Sequence, residues 1–111
     1  MVRDNNKDID VSSEKREQYV QLMTDNLPTL RAKRRLSQAE LGELVGVTRQ
    51  QIVAIKNEKR KMSWGIFLSL VLLFSSYSAT RELLEFFGIY SENLFGILEE
   101  NSEQLQVSRG R

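Results

Sequence analysis

The sequence predicts an all-α protein, and three observations carry that expectation. Apolar residues recur at helical spacing, as Leu41, Leu44 and Val45 do at i, i+3 and i+4. Two segments open alike, with a hydroxyl residue followed three positions later by Glu or Gln: Ser37 with Glu40, and Thr48 with Gln51. No stretch carries the period-two alternation of a strand, and no internal repeat is visible. At 111 residues and 41% hydrophobic side chains, the chain is expected to form one domain with a modest core, or one domain plus a short appended element.

Residues 1–12 are rich in Asp, Asn and Lys with little to bury, and are expected to form a flexible N-terminal arm. Ser12 or Ser13 then caps a helix whose apolar face includes Tyr19, Leu22 and Met23. Pro28 predicts a break near Asn26, with Asp25 or Asn26 capping a new helix that runs through Arg35. Ser37 caps the helix Gln38–Val45, ended by Gly46 in the left-handed conformation. Thr48 caps the next helix, anchored inward by Ile52 and Ile55, and residues 57–62 form a basic loop. Ser63 caps an apolar helix over 64–74; its eleven residues fall short of the roughly 20 that cross a membrane, so it is expected to lie in the core. Residues 75–80 are a small-residue break, 81–87 a short helix ended by Gly88, and Ser91 caps a last helix to about residue 104 with Leu94, Phe95, Leu98 and Leu105 as its stripe. Residues 107–111 are expected to fray.

Composition removes several function classes. There is no cysteine, hence no disulfide framework and no thiolate metal site, and no histidine, the commonest acid–base residue and zinc ligand. No nucleophile–base constellation stands out; Glu99, Glu100 and Glu103 read as a solvated helix face. The expectation is a non-enzyme with no metal and no cofactor. The opening ten residues are polar and acidic, unlike a secretory signal, which points to the cytoplasm.

The net charge of +1 hides a strong asymmetry. Residues 1–30 sum to −2, residues 31–61 to +6 and residues 62–111 to −3. A basic block between acidic flanks suggests a polyanion-binding surface on one part of the molecule, although a solvated charged face is the plainer explanation of charge alone.

The segment 36–61 gives the basic block a shape. Gly42 is the small residue that lets two short helices cross closely, and Gly46 supplies the positive φ of the turn. Leu41, Val45, Val47, Ile52 and Ile55 lock the crossing. The polar residues opening the second helix are then free to reach base edges, as a recognition helix does. A generic helical hairpin is the structural alternative.

With those residues in place, LSQAELGELVGVTRQQIVAI resembles the helix-turn-helix of the lambda-repressor-like, XRE-type transcriptional regulators. The resemblance spans 27–74, from LPTLRAKRRLSQAEL before the turn to KNEKRKMSW and the apolar helix after it. It implies a lambda-repressor-like bundle of about five helices, here with an additional C-terminal helix, and sequence-specific binding of double-stranded DNA. By the resemblance Gln38, opening the first motif helix, binds a backbone phosphate. Arg49, Gln50, Gln51 and Ala54 face the bases, with Arg49 and Gln50 the main readers: Arg suits guanine O6 and N7, Gln suits adenine N6 and N7, and Ala54 reaches at most a thymine methyl. Arg31, Asn57, Lys59 and Lys61 fall at phosphate-binding positions. Three positions depart from the family. Lys56 stands where glutamate commonly pairs with an arginine at the position of Arg31. Glu58 replaces the glycine at the helix end, and Gly42 replaces alanine.

The expected organisation is an arm (1–12), a helix-turn-helix domain (13–75), C-terminal helices forming a dimerisation element (76–106), with completion of the monomer's own core as the structural alternative, and a frayed tail (107–111). The aromatic residues Trp64, Phe67, Phe74, Phe86, Phe87 and Phe95 read as core or interface. The expected function is a transcriptional regulator, a repressor that binds a palindromic operator as a homodimer. The alternative is an antitoxin or other interaction module whose C-terminal helices bind a partner protein.

Overall fold

The structure, a computed structural model, describes residues 2–89, with side chains from residue 13 onward. These residues form five α-helices and no strand: α1 (Val2–Lys33), α2 (Gln38–Val45), α3 (Arg49–Lys56), α4 (Trp64–Ser75) and α5 (Ser78–Phe86). α2 and α3 pack on each other, α4 and α5 form a second pair, and α1 lies against α3, α4 and α5. Among the described residues, no helix is long and apolar enough to cross a membrane.

α1 departs most from the sequence expectation. It is one helix of 32 residues, so the segment expected to be an arm is helical from Val2, and Pro28 lies inside the helix. The physical reason is the apolar stripe. Tyr19, Val20, Met23, Leu27 and Leu30 continue at helical spacing straight across the proline, and all five are buried. An interior proline costs about 3 kcal/mol. Burying each Leu or Met yields roughly 1.5–3 kcal/mol, so the stripe outweighs the break. Asn26, expected to cap a new helix, instead donates from Nδ2 to the Leu22 carbonyl inside the continuous one (2.8 Å). α1 stops two residues before the expected Arg35, which adopts φ +56° and turns the chain toward α2.

α2, α3 and the start of α4 stand where the caps place them. Ser37 and Thr48 each accept from the backbone N–H three residues on, while Glu40 and Gln51 accept from the backbone N–H of Ser37 and Thr48. Ser63 caps α4 through the Ile66 N–H. Leu41, Ile52 and Ile55 are buried as expected, but Leu44 is 57% exposed. On an eight-residue helix, Leu41 and Val45 already fill the inward stripe, and Leu44 falls to its edge.

The break after α4 is shorter than 75–80. Only Ser76 and Tyr77 separate α4 from α5. Thr80, the buried polar residue of this turn, donates its hydroxyl to the carbonyls of Phe74 and Tyr77, which lets α5 begin at Ser78 without a conventional side-chain cap. Residue 75 is not a packing boundary either. Leu84 of α5 and Ile89 beyond it are fully buried in the same core as Phe67, Leu70 and Phe74. Gly88, at φ +79°, ends α5 as expected. The expected helix from Ser91, its stripe Leu94, Phe95, Leu98 and Leu105, and the tail 107–111 lie outside the described residues.

Candidate nucleic-acid interface

Gly42 and Gly46 set the geometry of the α2–α3 pair. Gly46 adopts φ +81°, and its N–H and that of Val47 both return to the Gly42 carbonyl. A Cβ on Gly42 would sit 2.6 Å from the Val47 carbonyl oxygen. The turn therefore presses its backbone onto α2 where a side chain would otherwise be. This tight turn fixes the direction in which α3 leaves.

α3 buries Ile52 and Ile55 and turns its remaining residues outward. Arg49 and Gln50, at its N-terminus, are exposed. Along the helix they share an open depression of about 300 Å³ with Val53, Ala54, Asn57 and Lys59. Five of the nine sequence-predicted DNA residues thus line one surface: Arg49, Gln50 and Ala54 from the base-reading set, Asn57 and Lys59 from the phosphate set. Gln51 is less available than expected, because its side-chain oxygen accepts the Thr48 backbone N–H in the capping box (2.8 Å). Gln38, half-buried, opens α2.

Two cations of the basic block 31–61 are held by carbonyl groups. Arg31 donates to the Leu36 carbonyl (2.7 Å), bracing the link between α1 and α2. Arg34 donates to the Leu73 carbonyl (3.2 Å) and lies over the Tyr77 ring at 4.9 Å, joining the end of α1 to the end of α4. Lys61 forms an ion pair with Glu17 of α1 (3.2 Å), both side chains largely exposed. Arg49, Lys56, Lys59 and Arg60 are exposed, with no side-chain partner among the described residues.

Glu58 does not substitute for the missing partner of Arg31. It adopts φ +58° at the end of α3, the left-handed geometry that favours glycine, and its carboxylate accepts from Gln21 of α1 (3.1 Å). Gln21 also donates to Asp25 one turn along α1 (2.8 Å). The roles of Gln21 and Glu17 were not foreseen, because their partners lie 37 and 44 residues away in sequence. Only the helical continuity of α1, which sets Glu17 and Gln21 one turn apart on one face, carries a local trace of them.

Comparison of the chain with protein-family models, with curated proteins and with solved structures finds no match in any of the three.

Proposed function

We propose that this chain is a sequence-specific DNA-binding transcriptional regulator, acting as a homodimer on a palindromic site and repressing by occupying a promoter. One observation carries the reading. A helix locked at its N-terminus by a capping box, and braced from behind by a glycine-tight turn, presents Arg49 and Gln50 at one end of a surface and Asn57 and Lys59 at the other. Such a surface matches the division of labour in DNA recognition, in which base contacts set sequence preference and phosphate contacts set register and affinity. The lambda-repressor-like character of the bundle is part of the same proposal. Its support is the resemblance of residues 27–74 together with the helix order and capping described above.

The proposed dimer contact lies in the C-terminal part of the chain, after about residue 69. Leu72 and Phe86 are 73% and 83% exposed, large apolar groups that a partner surface would cover. Two-fold symmetry would set the recognition helices about 34 Å apart, one turn of DNA. The same exposed residues favour a second reading, in which the C-terminal part binds a different protein. Sedimentation of the pure chain separates them: a stable dimer favours the first, a monomer the second.

The direct test is selection of bound duplexes from a random pool, followed by titration of the selected and a scrambled duplex. The proposal expects a recovered motif with two-fold symmetry and an affinity that falls steeply with salt as counterions are released. Recovery of no motif, with equal affinity for both duplexes, would refute sequence-specific binding.

A further inference from the structure

Resting on the DNA-binding reading, we propose that Glu17 of α1 is a built-in competitor for DNA phosphate at Lys61. A groove of about 620 Å³ lies between α1 and the loop that follows α3. Val20, Ile55 and Met62, all buried, form its apolar base. Glu14, Glu17 and Gln21 approach it from α1, and Glu58, Arg60 and Lys61 from the loop. Two ties cross this groove from one face of α1, and they hold the loop on either side of Lys59.

The two ties act in opposite directions on phosphate binding. Gln21 holds Glu58 in its left-handed geometry and engages no cation, so it positions the loop without reducing its positive charge. Glu17 instead places a carboxylate 3.2 Å from the Lys61 ammonium. A phosphate arriving at Lys61 must displace that carboxylate or share the ammonium with it, and it meets the like charge of Glu17 in either case. Lysine suits such an exchange, because its ammonium is a compact point charge on a flexible stem rather than a planar fork locked into a bidentate pair. The effect on recognition is selective. Phosphate affinity, common to all sequences, is lowered, while Arg49 and Gln50 are untouched. Sequence preference then carries a larger share of the binding.

Fluorescence anisotropy titrations on a selected and a scrambled duplex at low ionic strength test this, using the wild-type chain, Glu17→Gln, Lys61→Ala, the double variant and Glu14→Gln. Glu17→Gln is expected to tighten binding to both duplexes by about two- to fivefold, the range an exposed ion pair supports. Lys61→Ala should weaken binding more in the Glu17→Gln background than in the wild type, because the released ammonium then serves phosphate fully. Glu14→Gln removes the same charge from the same groove without breaking an ion pair, and is expected to have the smaller effect. Equal tightening by Glu14→Gln and Glu17→Gln would overturn the inference, since the cause would then be general repulsion. Wild-type binding with unchanged or weakened binding by Glu17→Gln would overturn it as well, leaving the DNA reading in place. Failure of every protein to bind either duplex would overturn both.

Discussion

Gly42 has no room for a side chain, and the reason is backbone rather than a movable neighbour. Alanine is favoured over glycine inside a helix by about 1 kcal/mol. Here its Cβ would meet the Val47 carbonyl oxygen at 2.6 Å, and the Gly42 carbonyl itself accepts the Val47 N–H at 2.8 Å. Forcing the two strands of the turn apart disturbs that bond, and overpacking of this kind costs roughly 1–3 kcal/mol. Gly42→Ala should therefore lower stability in chemical denaturation despite its better helix propensity; an unchanged or raised midpoint would show that the turn yields freely. The reverse holds at Glu58. A non-glycine residue in left-handed geometry costs about 1–2 kcal/mol, partly offset here by the exposed bond to Gln21. Glu58→Gly is expected to raise stability by roughly 0.5–1 kcal/mol, and a lower midpoint would mean the Gln21 bond outweighs the strain. The sequence resemblance marked both residues as departures from its pattern. What it did not reveal was their sign. The close helix crossing called for a small residue at 42, and the position of the Val47 carbonyl shows that even a single Cβ is too much there.

The two capping boxes explain why α2 and α3 were legible to the residue. A cap is a local bond between positions three apart, so it is written in adjacent sequence. Thr48→Ala should cost about 1 kcal/mol and loosen the start of α3, detectable as faster amide exchange there with α4 unaffected. Glu40 adds a pH signature. Its carboxyl is held below the ordinary range by the Ser37 backbone N–H and then by the Ser37 hydroxyl. A group whose folded pKa is depressed contributes stability above its unfolded value, near 4.3, and loses that contribution as pH falls through its folded value. The start of α2 should loosen in that acidic window, and Glu40→Gln, which keeps the cap geometry, should remove this component. An identical acid profile for both proteins would show that Glu40 plays no part in it. α1 was misread by the same local logic. Pro28 and Asn26 are strong local punctuation, but Leu27 and Leu30 sit in a core built by α3, α4 and α5, and that packing decides the element. Leu44 errs in the same sense: its spacing is helical, yet no neighbour covers it.

Across the described residues, one core takes side chains from all five helices, Leu41 of α2 and Ile52 and Ile55 of α3 included, while the outer face of α3 stays open. The all-α class and the positions of α2, α3 and the start of α4 were legible because they follow from periodicity and caps. The sharing of the core with α5 was one of two readings the sequence left open, and the ties of α1 to the loop after α3 were not legible, because they join residues distant in sequence. The basic block reads differently once folded. Its +6 includes Arg31 and Arg34, which brace carbonyls, and Lys61, which faces Glu17, so the charge offered outward is smaller than the sequence count. Lys59 should accordingly matter more to phosphate affinity than Arg34. Lys59→Ala is expected to weaken all duplexes alike and to reduce the salt slope by about one, as loss of a single phosphate contact does. Base reading rests on Arg49, and its direct test is the sequence preference of Arg49→Ala, profiled beside the wild type by selection from the same random pool. The expected profile is altered at one base pair in each half-site, at a cost of about 1–3 kcal/mol for the original sequence. An unaltered profile with uniformly weaker binding would contradict it.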